Sequence, residues 1–281
     1  MTADADPTLA AEGRDALRPR GRKAQLESSK LRPGWTTGAC ACAAATSAFI
    51  ALHTGEFPDP VGIVLPGGRE ATFALTQSRL QPGQAMAAIT KDAGDDPDVT
   101  HGAIVRVVVD PGEPGGGVSF AGGEGIGTVT LPGLPLPVGE PAINPKPREY
   151  ITANITAAAE RLGVAPDVRV TVSIDDGARI AEKTWNSRIG VLGGLSVLGT
   201  TGVVVPYSCS AWIASIHRGI DVAIATGATH AAACTGSTSE RVAEELYPGI
   251  ELLDMGDFAG AVLKYLRKNP LPRLAIVGGV A

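Results

Sequence analysis

The carboxyl-terminal third of the chain alternates short apolar runs with amphipathic stretches, and this alternation constrains the fold most. Strand–helix alternation is typical of an open, parallel α/β sheet. Ligands of such sheets bind beyond the carboxyl ends of the strands, which here are predicted to lead into residues 227–230 and 255–257, so His230 is a candidate functional residue. We predict strands at 203–205, 222–225, 252–253 and 274–277, and helices at 208–217, 237–247 and 257–268.

Composition agrees with a fold of this class. The 281 residues are 44% hydrophobic and 19% charged, as expected where strands are buried on both faces. A net charge of −5 gives no broad attraction to nucleic acid or to an anionic membrane, so an anionic ligand requires a local basic cluster. The uncharged stretch 189–216 is long enough to span a bilayer, but glycines and Pro206 interrupt it, and we predict a buried loop, strand and helix instead.

The cysteines and the first residues indicate a cytoplasmic protein. Residues 1–30 are polar and show no secretory signal, so we expect a disordered leader there. The cysteine spacing matches no zinc motif, and we expect reduced, mostly buried thiols. These cysteines are Cys40, Cys42, Cys209 and Cys234.

Two folded domains are predicted to follow the leader. Residues 31–190 are expected to form an α+β domain with hairpins, and residues 191–281 an open α/β domain. In the first domain we predict helices at 39–52 and 147–162, and strands at 61–65, 70–76, 85–90, 103–110, 128–131, 168–174 and 179–184.

Residues 90–102, T-K-D-A-G-D-D-P-D-V-T-H-G, place four aspartates between two uncharged stretches. Adjacent carboxylates on an ordered loop repel, so at least one is expected to have a raised pKa unless a cation compensates. The segment is therefore a candidate site, the alternative being a hydrogen-bonded turn. A calcium loop requires a central glycine and a closing glutamate, whereas Pro97 and Ala103 stand at those places, and we predict no metal site.

Residues 193–202 are similar to a phosphate-binding loop, but a threonine replaces the essential lysine, which disfavours triphosphate chemistry. Backbone N–H groups of such a loop can still cradle a carboxylate or a hydroxyl, the alternative being a tight strand connection. Positive charge for an anionic ligand is available from scattered basic residues, each of which is alternatively a solvated surface charge. These residues are Lys91, Lys146, Arg148, Lys183 and Arg188.

Five segments, residues 31–38, 90–102, 139–148, 183–188 and 193–202, resemble successive motifs of one family. The family is that of the CbiD-type cobalt-precorrin-5B C-1 methyltransferases of anaerobic cobalamin biosynthesis. The resemblance implies transfer of a methyl group from S-adenosylmethionine to a cobalt-containing tetrapyrrole. It also implies a two-domain α/β fold that differs from the common methyltransferase fold.

Residue roles follow as hypotheses from this resemblance. Asp95, Asp96 and His101 are the predicted catalytic residues, one of which accepts a proton. The tetrapyrrole is the expected partner, without nucleic acid, membrane or protein-bound metal, and a homo-oligomer is left open. For the methyl donor we predict Thr36, Thr37, Asp92, Gly193, Gly194, Ser196, Gly199, Thr200 and Thr201. For the macrocycle we predict Lys91, Asn144, Lys146, Arg148, Lys183, Asn186 and Arg188.

Two other functions stay open on the sequence. Members of the family usually continue past residues 277–281, so the second domain is expected to be incomplete. A truncated homologue that binds the macrocycle without methylating it is therefore one alternative. A small-molecule kinase built on residues 193–202 is the other, and the missing lysine disfavours it.

Overall fold

The amino-terminal unit is built around one buried helix, α1 (Thr37–Thr54), in a computed structural model that describes residues 31–279. The hydroxyl oxygen of Thr36 caps the helix by accepting the Ala39 N–H at 3.2 Å, as predicted for this threonine region. Gly55 ends the helix in a left-handed conformation. The helix has the length and hydropathy of a membrane span, but 78% of it is buried inside the protein. Its alanine side chains let other elements approach closely.

A five-stranded sheet packs against α1. Its spatial order is β4 (Gln77–Gln81), β5 (Gln84–Thr90), β6 (Ile104–Pro111), β9 (Val168–Ile174) and β7 (Val118–Gly122), antiparallel except for the last pair. Val105, Val107 and Val109 are fully buried on the face towards the helix, as strand alternation requires. The predicted hairpin, β2 (Val61–Leu65) and β3 (Arg69–Phe73), is confirmed.

Helix α2 (Pro145–Leu162) lies beside α1 and ends at the left-handed Gly163, as predicted. Short strand pairs then bind residues 191–204 to the same unit. Strand β10 (Val191–Leu192) pairs with β8 (Thr128–Val129), and β11 (Val203–Val204) pairs with β1 (Gly34–Trp35). From this packing we propose a division between the units near Pro206, in place of the predicted boundary at residue 190.

The carboxyl-terminal unit is an open, parallel sheet, as predicted. Strand β12 (Ala231–Cys234) lies between β13 (Glu251–Asp254) and β14 (Leu274–Val277). Helices α4 (Cys209–Ala225) and α6 (Ala259–Leu266) cover one face, and α5 (Ser237–Leu246) covers the other. The carboxyl end of β13 leads into residues 255–257, as predicted.

Two element predictions are wrong, the strands at 222–225 and 179–184. Residues 222–225 form the last turn of α4, because Ala223 continues the buried helical face of Ile216 and Ile220. His230 therefore precedes β12, at the amino end of the sheet rather than the carboxyl end. Residues 179–184 form no strand, since helix α3 (Gly177–Ala181) begins just before them. Strand β4 was not predicted, because all its residues are exposed and it has no apolar alternation.

We predict that Gly34→Ala destabilises the protein by about 1–3 kcal/mol, because a Cβ there would overlap the backbone of Ala93. Gly62→Ala is the matched control, since it also lies in a strand but has no atom near its Cβ position. Its free energy of unfolding should change by no more than about 0.5 kcal/mol. Urea unfolding of both variants measures the difference, and equal stabilities would contradict the close approach.

Candidate functional site

The acidic segment between β5 and β6 folds into a loop whose charges are largely paired internally. The ammonium of Lys91, whose side chain is 2% exposed, donates to Asp98 at 2.7 Å. Asp98 also accepts the backbone N–H and the hydroxyl of Thr100, at 2.8 and 2.6 Å. Burial raises the pKa of Asp98, but Lys91 and Thr100 outweigh it and hold the pKa below its usual value. This pairing speaks against Lys91 as a ligand of the macrocycle.

Arg32 anchors the first two aspartates of the loop. Its guanidinium binds both carboxylate oxygens of Asp92, and its backbone N–H donates to Asp95 at 2.6 Å. The hydrogen bond from Arg32, followed by one from Gly94, lowers the pKa of Asp92 to about 2. Asp95 is exposed, and 44% of the Asp92 side chain is exposed. Sequence reasoning missed Arg32, although it lies within the motif at residues 31–38.

Asp96 points to a different part of the chain. Its Oδ1 accepts the backbone N–H of Tyr207 at 2.8 Å. Burial raises the pKa of Asp96, and the hydrogen bond from Tyr207 only partly offsets this effect. Asp96 is thus an aspartate of raised pKa, as predicted, but burial rather than repulsion between carboxylates is the largest cause.

His101 presents a hydrogen-bond donor rather than a base. Its Nδ1 accepts the backbone N–H of Ala93 at 3.1 Å, while 55% of the side chain is exposed. Because the Nδ1 lone pair is used, the neutral ring carries its hydrogen on Nε2. The outward-facing nitrogen therefore donates, which speaks against proton acceptance there.

The glycine-rich loop, residues 193–202, uses several of its backbone N–H groups for hydrogen bonds within the amino-terminal unit. The N–H groups of Leu195 and Val197 donate to carbonyls of neighbouring loops, both at 2.8 Å. The N–H of Leu198 donates to the hydroxyl of Thr37 at 3.1 Å. The predicted cradle of N–H groups loses these donors, so the geometry favours the alternative of a tight strand connection.

The other residues predicted to bind the donor lie along this connection. Thr36 and Thr37 are buried, and the Thr36 N–H donates to Gly202 O at 3.0 Å. A Cβ at Gly199 would overlap the Thr36 side chain. Carbonyl oxygens of Gly194, Ser196 and Gly199 accept internal hydrogen bonds, whereas Gly193, Thr200 and Thr201 are exposed.

Two of the predicted basic residues and one asparagine lie at the start of α2. The backbone N–H of Asn144 donates to Val197 O at 3.0 Å. Arg148 donates to Glu140 at 2.9 Å and to Ile143 O at 2.8 Å. Lys146 pairs with Glu149 on the surface, where 56% of its side chain is exposed. Of these three residues, Lys146 is the most accessible to an anionic ligand.

The motif at residues 183–188 lies against the carboxyl-terminal unit. Arg188 binds both carboxylate oxygens of Glu240 in α5, at 2.6 and 3.1 Å, and Glu240 is 7% exposed. The indole of Trp185 contacts that of Trp212 in α4 edge-on, with ring centroids 5.1 Å apart. Asn186 donates to Gly194 O at 3.1 Å, and Lys183 is exposed. Arg188 and Trp185 therefore connect the two units, whereas Asn186 binds within the amino-terminal unit.

Residues 31–38, 90–102 and 193–202 meet at the amino end of α1, and Asn144 at the start of α2 binds to residues 193–202. Residues 183–188 contact residues 193–202 through Asn186 and α5 through Arg188. Four of the five basic residues, Lys91, Lys146, Arg148 and Arg188, each pair with a different acidic side chain. Within residues 31–279, no group of three or more His, Cys, Asp or Glu side chains is arranged to hold a metal ion.

Comparison with known proteins points to one family. The family model described as CbiD matches residues 24–206. A cobalt-precorrin-5B C(1)-methyltransferase from Brucella anthropi is 58% identical over 257 residues, which are 91% of this chain and 70% of the relative. The Brucella canis protein of the same name is equally similar. A crystal structure of the cobalamin biosynthesis protein CbiD from Archaeoglobus fulgidus matches with a TM-score of 0.51 and 27% identity, over 88% of this chain and 77% of that chain.

We predict that Arg32→Ala returns the pKa of Asp92 from about 2 towards 3.8, because the hydrogen bond from Arg32 is the largest cause of the shift. The folded-state pKa is depressed, so the stability from this group is complete above about pH 4 and is lost as the pH falls through about 2. NMR titration of the carboxylate carbons measures the pKa. Arg79→Ala, on the exposed strand β4, is the control and should leave Asp92 unchanged. A wild-type Asp92 that titrates near 3.8 would contradict the pairing.

Proposed function

The chain belongs to the CbiD family, and we propose that it is a cobalt-precorrin-5B C(1)-methyltransferase that uses S-adenosylmethionine. The observation that carries the proposal is the 58% identity with the Brucella anthropi enzyme over 91% of this chain. Cobalt enters the reaction as part of the tetrapyrrole substrate. The free cysteines of residues 31–279 suit a reducing compartment, and we place the enzyme in the cytoplasm.

The exposed carboxylates of the acidic loop suit the charge of the proposed methyl donor. S-Adenosylmethionine supplies a methyl group on a positively charged sulfonium, next to an ammonium and a ribose diol. Asp92 is ionised at neutral pH, since its pKa is about 2, and both Asp92 and Asp95 are accessible. Because the single guanidinium of Arg32 pairs with Asp92, one net negative charge remains on these three residues. It fits a cation better than the glycine-rich loop does, because that loop uses its N–H groups internally.

The protein's contribution to such a reaction is mainly alignment. Methyl transfer to carbon needs no protein nucleophile, and holding the two reactants in line supplies much of the rate. The exposed ammonium groups of Lys146 and Lys183 suit the acetate and propionate groups of the macrocycle. His101 donates from Nε2 to a macrocycle oxygen, and Asp95 is the proposed proton acceptor.

The two alternative functions differ in their support. A kinase would need the loop at residues 193–202 for phosphate, and the internal hydrogen bonds of Leu195, Val197 and Leu198 count against this use. The other alternative, binding of the macrocycle without methylation, is one of the results that the activity test distinguishes.

Incubation of the full chain with S-adenosylmethionine carrying a ¹³C methyl group and cobalt-precorrin-5B should add one labelled methyl group to the macrocycle. Mass spectrometry measures the gain. Asp95→Asn should lower turnover by roughly 10²–10⁴-fold, because it removes the proposed proton acceptor. Glu70→Gln, on the exposed end of β3, is the control and should leave turnover unchanged. Macrocycle binding by the wild-type chain without methyl gain would overturn the enzyme proposal.

We predict that His101→Gln keeps turnover within about tenfold of the wild type, whereas His101→Phe lowers it by roughly 10²-fold or more. Glutamine retains an N–H donor but cannot accept a proton at neutral pH. Turnover of both variants and its pH profile are measured together. If glutamine were as damaging as phenylalanine, His101 would act as the base.

A further inference from the structure

The segment between β11 and α4 contains a bulky residue in a left-handed backbone conformation. Tyr207 has a φ of +55°, a region in which a Cβ atom is sterically disfavoured. Among the described residues, Asp176 is the other non-glycine residue with positive φ, and a short polar side chain tolerates this conformation. Tyrosine has no such compensation, so its surroundings must hold it there.

A carboxylate from the acidic loop holds this residue. Asp96, which is 111 positions earlier in the chain, accepts the Tyr207 backbone N–H at 2.8 Å. The loop fixes Asp96 in turn, because the Lys91–Asp98 pair anchors it on one side and Arg32 anchors it on the other. Pro97 further restricts the backbone next to Asp96. The hydrogen-bond acceptor is therefore held in place independently of Tyr207.

Tyr207 lies on the covalent connection between the two units. Before it, β11 pairs with β1 in the amino-terminal unit. After it, the hydroxyl of Ser208 caps α4 by accepting the Ala211 N–H at 3.3 Å. Helix α4 packs on β13 and α6, so it belongs to the carboxyl-terminal unit. The backbone angles at Tyr207 are therefore one constraint on the direction in which that unit leaves the acidic loop, beside the Arg188–Glu240 and Trp185–Trp212 contacts.

We propose that Asp96 is a positioning residue for the methyl transfer. Its carboxylate holds the left-handed turn at Tyr207, and the turn holds the parallel sheet in place relative to the acidic loop. The inference rests on the proposed function, because it concerns the alignment of groups held by the two units. It is an alternative to the predicted role of Asp96 as a proton acceptor, and an asparagine variant separates the two, because the amide keeps an acceptor oxygen for Tyr207 but takes up no proton at neutral pH.

A change in the position of α4 can be measured by circular dichroism without any substrate. Trp212 of α4 contacts Trp185 edge-on, with ring centroids 5.1 Å apart and an angle of 89° between the rings. Two indoles at this distance couple in the near-ultraviolet circular dichroism spectrum. A change in the direction of α4 separates them and weakens this signal, and Trp185→Phe shows which part of the spectrum comes from the pair.

The test compares three variants of the full chain: Asp96→Ala, Asp96→Asn, and Asp96→Ala combined with Tyr207→Gly. Alanine removes the acceptor, so the tryptophan signal should weaken and kcat should fall roughly 10- to 100-fold, as for a small misplacement of reactants. Asparagine keeps an acceptor oxygen, so both readouts should stay near wild type. Glycine adopts positive φ without strain, so the double variant should recover both readouts in large part.

Two results would overturn the proposal. If Asp96→Asn were as damaging as Asp96→Ala, the charge of Asp96 would act in the chemistry itself. If Tyr207→Gly brought no recovery, the turn would not depend on Asp96. Should Asp96→Ala fail to fold, the asparagine and double variants decide between the same results. A wild-type chain without methyl transfer defeats the proposed function, whereas the circular dichroism comparison still tests the turn.

Discussion

Helix α1 is buried along most of its length, and this burial imposes a requirement that much of the amino-terminal unit meets. The first N–H groups of a helix have no partner within it, and burial removes water as an alternative. The Thr36 hydroxyl and the Leu198 carbonyl supply acceptors at this end, and Gly202 accepts the N–H of the capping residue. The motifs at residues 31–38 and 193–202 meet because the buried helix end requires them to.

The same principle explains the acidic loop. Charged groups that leave water must be paired or hydrogen-bonded. It applies to Lys91, which is 2% exposed and paired with Asp98. Arg32 additionally holds Asp92 and Asp95 at the exposed side of the loop. What looks like a dense cluster of functional charges is therefore mostly a scaffold. Its exposed groups are the carboxylates of Asp92 and Asp95 and the imidazole of His101, and these are the groups left for chemistry.

The motifs that join the units likewise contain both structural residues and residues that are accessible to a ligand. Arg188 forms an ion pair with the buried Glu240, whereas Lys183, the other cation of residues 183–188, is exposed. Asp96 also has a structural role, because its Oδ1 accepts the backbone N–H of Tyr207. A motif shared with a family thus contains both residues suited to bind the reactants and residues that keep the binding elements in place. Sequence resemblance alone does not separate these two groups.

Local pattern alone predicted helices α1 and α2, the hairpin, β9 and the parallel sheet, because long periodic runs and capping residues act over a few positions. The five motifs likewise identified the family. The sequence failed where a short apolar run fits either a helix or a strand, as at residues 222–225. Only the tertiary structure decided which charges are paired, because Arg32 and Asp92 are 60 positions apart and Arg188 and Glu240 are 52 apart. Whether a charged side chain is available to a ligand depends on its burial and on partners far away in the sequence. Neither can be predicted from the neighbouring residues.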